Sequence, residues 1–210
     1  RDVAPSRGLG DVYKRQQLNF VGLDGHVIAW DKVDYDGEFE LLIPKNTIDK
    51  LKALGLTGDV QISYSNTMAM FATDDFEVCT RLVDGTYFKY QKMFNELPLH
   101  TVVSRKELLD AMVRAKMCTA EKCPVRFEIS GKQLNLSIRD KVTDYHETVD
   151  LQEEISEALT IGFDARLVIE TLKAFDCDNV GISVNGPKMP MIVESEDSDF
   201  KAIVLPVSIN

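Results

Sequence analysis

Two hundred and ten residues, 44% hydrophobic, 28% charged and 8% aromatic, suffice for one or two compact units with their own cores. They exclude collagen, low-complexity disorder and a disulfide-dense miniprotein. Thirty-four acidic against 24 basic side chains leave a net charge of −10, which excludes a uniformly basic nucleic-acid sleeve but not a local basic patch.

Residues 1–16 show neither a period of 2 nor one of 3.6 and hold no continuous apolar stretch of the signal-peptide kind, so a non-native or disordered leader is expected there. From Gln17 onward, strands are expected at Leu18–Leu23, His26–Lys32 and Glu38–Ile43, with Asp24-Gly25 and Asp36-Gly37 as turns. A helix at Lys45–Leu54 is punctuated by Pro44 before it and Gly55 after it. Strands near Asp59–Ser65, Met68–Thr73 and Phe76–Val83 follow.

A second series opens with a helix, where Ser104 and Glu107 form a capping box and Leu108, Met112 and Ala115 recur at helical spacing. Strands at Val125–Ile129 and Gln133–Ile138 are joined across Ser130-Gly131-Lys132, and another lies near Tyr145–Leu151. A helix over Asp164–Asp176 has Asp164 as N-cap and turns Val168, Leu172 and Phe175 inward. Strands near Val180–Val184, Met189–Glu194 and Phe200–Val207 complete the series, with Asn185-Gly186 as a turn.

The two series repeat each other. Leu51-Lys-Ala-Leu-Gly-Leu-Thr-Gly-Asp-Val-Gln-Ile-Ser63 resembles Leu172-Lys-Ala-Phe-Asp-Cys-Asp-Asn-Val-Gly-Ile-Ser183, offset by 121 residues at Leu51 and by 120 at Val60. Upstream, Leu18-Asn19-Phe20 resembles Leu134-Asn135-Leu136 at an offset of 116. By this analogy the first copy, residues 17–100, lacks an opening helix and first strand, and the second, 101–210, is complete. Each copy reads as an α+β domain, helices against antiparallel sheet.

Motifs for catalysis and metal binding are weak. Cys79, Cys118, Cys123 and Cys177 have no paired spacing, and no HExxH, GxSxG or phosphate-binding glycine loop occurs, so neither a metal nor another cofactor is expected. Lys32-Val-Asp-Tyr-Asp-Gly37 fails as a calcium loop at both end ligands. Asp24 and His26 are the one acid–base pair on a turn and define the enzyme alternative, a small hydrolase.

Two surfaces invite partners. Lys45, Asp49 and Lys52 share a helix face, as do Lys106, Asp110 and Arg114, and Arg166, Glu170 and Lys173; each reads basic–acidic–basic. The three helices carry +2, +2 and −1 against −10 for the whole chain, a pattern suited to sequence-independent phosphate contact, with simple i,i+4 ion pairing as the plainer account. The second surface is the aromatic run Tyr87-Phe-Lys-Tyr-Gln-Lys-Met-Phe94 leading through Leu97-Pro98, which suits a peptide-accepting groove or domain glue.

Several segments resemble the bacterial DNA polymerase sliding clamp, the beta subunit of the replicative polymerase. Gly22-Leu-Asp-Gly-His-Val-Ile-Ala29 is similar to that family's middle-domain strand turn, and Arg81-Leu-Val-Asp-Gly85 with Tyr90 to the stretch leaving that domain. Ile161-Gly-Phe-Asp-Ala-Arg-Leu-Val168, Leu172-Lys-Ala174 and Ile203-Val-Leu-Pro-Val207 are similar to its last domain. The resemblance implies repeated clamp domains in a homodimeric ring around duplex DNA, tethering the replicative polymerase, clamp loader and other partner peptides in the cytoplasm without catalysis. It also implies a partner-peptide cleft of Leu23, Gly25, His26, Ile28, Phe88, Lys92, Met93, Asp164, Leu167, Lys188, Pro190, Ile203, Leu205 and Pro206. Lys45, Lys52, Lys106, Arg114, Arg166 and Lys173 would face the DNA. A clamp of the archaeal and eukaryotic type is the nearest alternative.

Overall fold

The computed structural model describes residues 17–37, 39–55, 57–87, 89–118, 124–139 and 143–209. Two compact units emerge, residues 37–92 and the combination of 17–36 with 93–209. The smaller contains α1 (Lys45–Ala53) and an antiparallel sheet of β3 (Gln61–Tyr64), β4 (Met68–Ala72) and β5 (Glu77–Arg81). Ala69 and Phe71 are buried there, and the Thr47 and Thr80 hydroxyls meet at 2.7 Å in the interior.

The larger unit begins with the hairpin β1 (Gln17–Leu23) and β2 (Val27–Asp34). It resumes with β6 (Leu99–Ser104), α2 (Arg105–Cys118), β7 (Val125–Arg139), β8 (Asp144–Phe163), α3 (Ala165–Ala174), β9 (Asn179–Val184), β10 (Met191–Glu194) and β11 (Lys201–Val204). The sheet runs β1-β2-β11-β10-β9-β6-β8-β7, all pairs antiparallel. Helices α2 and α3 pack on each other and on the sheet, burying Leu108, Met112, Ala115, Val168, Leu172 and Phe175, the residues whose spacing predicts it. The Glu107 N–H donates to Ser104 Oγ at 3.3 Å, one half of the expected capping box.

The repeat survives as topology. Hairpin β1–β2, helix α1 and meander β3-β4-β5 follow the same order as hairpin β7–β8, helix α3 and meander β9-β10-β11. The large unit adds β6 and α2 ahead of its hairpin.

Four local expectations are corrected. Residues 125–139 form one strand, not two: Gly131 at φ 57° sits between two register shifts where the joint was expected, and the extra residues lie opposite it on β8, where Asp150 to Leu159 faces only Gln133 to Ile129. The break also shifts the parity of the buried residues, odd at Val125, Phe127 and Ile129 and even at Leu134, Leu136 and Ile138, all in one core. Strand β8 extends to Phe163 because β7 pairs with it along both halves. Residues 39–44 form no strand; a single bond from Val83 N–H to Leu42 O (2.8 Å) ties them to the sheet's end, so Asp36-Gly37 does not join two strands. The β9–β10 connection spans residues 185–190, longer than a two-residue turn, and is braced by Met189 N–H donating to Gly186 O at 3.2 Å.

Candidate functional site

The site grows from the β1–β2 turn. Asp24 Oδ1 accepts the backbone N–H groups of His26 (2.9 Å) and Val27 (2.8 Å), while Gly25 takes φ 91°, a conformation that favours glycine. The His26 N–H above all holds the Asp24 carboxyl below its usual range, against the opposing effect of partial burial. A carboxylate committed to two amides and kept acidic is a turn-former, so the geometry gives no support to Asp24 and His26 as a hydrolytic pair.

That turn aims β2 along β11, pairing Val27 with Val204, Ile28 with Ile203, Ala29 with Ala202 and Trp30 with Lys201. Just past β11, Leu205 N–H donates to His26 O at 2.9 Å. Ile28, Ile203 and Ile192 form a small buried cluster of their own, with Val21, Phe94, Leu97 and Leu205 packed around it half-buried. Trp30 meets Phe94 edge-on with ring centroids 5.1 Å apart, and its indole N–H donates to Asn19 Oδ1 at 2.9 Å. Two ion pairs flank the joint, Lys32 with Asp199 (3.0 Å) and Lys201 with Glu194 (2.6 Å). The result is an apolar seam beside a solvent-facing turn.

Of the residues expected in the peptide cleft, Ile28, Ile203 and Leu205 meet in this cluster, and His26 joins them through its backbone. Leu23, Gly25 and His26 are exposed on the turn, and Lys188 is exposed and Pro190 half-buried on the 185–190 connection. Lys92 and Met93 lie exposed on the 3₁₀ turn Tyr90–Phe94, and Pro206 is half-buried after β11. Leu167 packs against the main core rather than the small cluster. Asp164 caps α3, accepting Arg166 N–H at 2.8 Å and the Arg166 guanidinium at 2.7 and 3.2 Å; that guanidinium lowers its pKa, with burial opposing and the backbone bond assisting. Phe88 lies outside the described residues. Unanticipated members are Val21, Trp30 and Ile192; Trp30, the sole tryptophan, stood out by type but not by position.

The basic residues divide differently from their expected pattern. Lys45 does pair with Asp49 at 2.7 Å, i to i+4. Arg114 instead grips both Glu147 oxygens on β8, and the Tyr145 hydroxyl lies within hydrogen-bond distance of Glu147 and of Ala111 O. Arg114 thereby lowers the Glu147 pKa, while burial, followed by Glu147, raises that of Tyr145. Arg166 turns back to Asp164 rather than forward to Glu170. In both helices a fixed partner outside the expected i,i+4 pair offers bidentate geometry, which outweighs a flexible surface pair. Lys106, Arg114, Arg166 and Lys173 nevertheless share the solvent-facing layer of α2 and α3, and Lys52 is exposed on α1. Cys79, Cys118 and Cys177 are free thiols, and no group of three or more metal-ligating side chains gathers among the described residues.

A family model described as the DNA polymerase III beta subunit, C-terminal domain, matches residues 95–208, more than half of the sequence. The chain belongs to the DNA polymerase III beta subunit family. It is similar to the beta sliding clamp of Streptococcus pneumoniae, 24% identical over 212 residues, covering 94% of this chain and 55% of that protein. Among solved structures, the beta subunit of Streptococcus pyogenes DNA polymerase shares the fold at a TM-score of 0.84 and 22% identity, over 94% of this chain and 56% of that one. A Bartonella birtlesii sliding clamp bound to griselimycin matches at 0.84 and 22%, over 92% and 55%. The chain spans about half the length of the curated relatives it matches. The beta-subunit family model covers all of β6 to β11, including the β11 side of the seam, while the β1–β2 hairpin enters through the longer alignments. None of the described helices is long and apolar enough to cross a membrane.

Proposed function

We propose that this beta-subunit chain works in DNA replication as part of a cytoplasmic sliding clamp, a non-catalytic processivity factor that encircles duplex DNA as a homodimeric ring. It holds the replicative polymerase, the clamp loader and other partners through short apolar peptides. The observation that carries the tethering role is the seam: the exposed Leu23 and Met93 stand in the same unit as the buried Ile28–Ile192–Ile203 cluster and the half-buried Leu205. Apolar side chains beside a packed floor suit a peptide's aliphatic and aromatic anchors, with the His26 turn and Lys188 supplying a polar rim. The griselimycin-bound relative supports a ligand site on clamps of this fold. Lys106 and Lys173 supply sequence-independent phosphate contacts on the helical layer, with Arg114 and Arg166 more restrained by their carboxylates.

The test is a titration with a peptide bearing a Leu-Phe anchor, followed by the fluorescence of Trp30. Saturable change at micromolar peptide is expected, and Met93→Glu should weaken it by at least tenfold because a charge buried under the peptide has no partner. A folded sample showing no change at high micromolar peptide would remove the tethering reading.

A further inference from the structure

Gly162 stands next to last in β8, and a Cβ added to it would lie 2.6 Å from Ile209 Cγ1 and 2.8 Å from Val207 O, too close for either to stay in place. Its φ is not positive, so the side chain is missing for want of room and not for the sake of a turn. The room is taken by the stretch after β11, residues 205–209, which belongs to no helix or strand. Gly181 on β9 is also tight, but its nearest neighbour, at 2.9 Å, is the His100 ring, a side chain able to swing aside. At Gly162 the obstacle includes a main-chain carbonyl, so only a shift of the stretch itself makes space.

Two main-chain bonds hold that stretch. Leu205 N–H donates to His26 O at 2.9 Å, and Val207 N–H donates to Gly162 O at 2.8 Å. Pro206, between the two donors, has no N–H of its own to place. The first anchor lies on the β1–β2 turn, and the second is two residues before Asp164, the N-cap of α3. Leu205 packs on the Ile28–Ile192–Ile203 cluster, and Pro206 is half-buried. The stretch therefore runs from the seam to the end of β8 and is pinned at both.

We infer that Gly162 is a positioning residue for the seam: its bare Cα lets residues 205–209 lie across the end of β8, and this second anchor fixes Leu205 and Pro206 where an apolar peptide meets them. With the His26 bond alone, Leu205 and Pro206 would pivot about a single point. With both bonds the backbone direction is set on either side of the proline, and a peptide meets a wall already formed instead of one it must order on binding. Gly162 thus acts through the stretch and not by contact with the ligand. The consequence for affinity rests on the tethering reading, whereas the clasp itself is measurable with no peptide present.

The test compares the full chain with its Gly162→Ala and Val207→Pro variants, the second of which removes the donor from the same bond without touching β8. Amide hydrogen exchange at Leu205 is expected to quicken about tenfold in both, with exchange across β7 and β9 unchanged. Titration with the Leu-Phe peptide, followed by Trp30 fluorescence, should show an affinity about fivefold weaker in each variant and no weaker in the double variant, since both changes break one anchor. Unchanged exchange at Leu205 in a folded Gly162→Ala chain would overturn the inference. So would losses that multiply in the double variant, because Gly162 would then act through β8 and not through residues 205–209. Quickened exchange with undiminished peptide affinity would remove the positioning role and leave tethering standing. A parent chain that binds no peptide would remove the tethering reading and the effect on affinity with it, while exchange at Leu205 still decides whether Gly162 holds the stretch.

Discussion

Helices α1 and α3 follow matching hairpins and precede matching three-stranded meanders, yet they live in different surroundings. Leu172 is 1% exposed between the sheet and α2, whereas its repeat partner Leu51 is only half-buried. The difference is not propensity, since both helices carry an apolar stripe with leucine at equivalent positions. It is the second helix: α2 seals the stripe of α3, and among the described residues nothing equivalent seals that of α1. A helix of nine or ten residues is marginal alone, so its stability comes from what its apolar face meets.

That contrast can be broken most forcefully at the paired leucines. Leu172→Ala should destabilise the large unit by about 2–5 kcal/mol, through lost burial and a residual cavity. Leu51→Ala should cost under about 1 kcal/mol, because a half-buried side chain leaves little cavity behind. Urea unfolding with hydrogen exchange resolved by unit measures both, and equal losses would dissolve the comparison.

The helix N-termini give a smaller difference. Asp164 caps α3 with its carboxylate, whereas Pro44 begins α1 with no side-chain cap. Asp164→Ala should therefore cost about 1 kcal/mol, and Pro44→Ala much less. Asp164 also has a lowered pKa, set chiefly by Arg166. Its contribution is fully present above the usual aspartate value of 3.8 and fades as pH falls through the lower folded value. Acid titration of the large unit should show a loss in that range that Asp164→Ala lacks.

The surface ion pairs bring the smallest effect. Lys45→Ala removes the Lys45–Asp49 pair on α1 and should cost about 0.3–0.5 kcal/mol at low salt, vanishing at high salt. Arg114→Ala should cost more than Lys45→Ala, since the partly buried Glu147 would lose its bidentate partner while retaining Tyr145.

Much of this organisation was legible locally. The capping residues Ser104 and Asp164, the Asp24-Gly25 turn and the interior stripes of α2 and α3 each depend on residues within a few positions of one another, so their spacing suffices. The break at Gly131 was legible too, in the shift from odd to even apolar positions, although the extra residues opposite it on β8 were not. Arg114 illustrates the opposite case. Asp110 lies at helical spacing, and nothing near Arg114 announces that Glu147 and Tyr145 on another strand will engage it instead. Of the seam, its turn and the Ile203–Leu205 stretch could be found by resemblance, whereas Trp30 and Ile192 joined it only through strand pairing.

By itself the sequence determined a duplicated α+β chain, the order of nearly all its helices and strands, and the apolar stripe that each offers for burial. Tertiary structure alone decided which stripes are covered, which carboxylate holds each arginine, and that the first hairpin joins the last strand, Ile28 beside Ile203. The physical reason is that periodicity encodes what a segment is able to bury, while its partner is selected by contacts between residues far apart in the chain, whose closure entropy and packing no local spacing records.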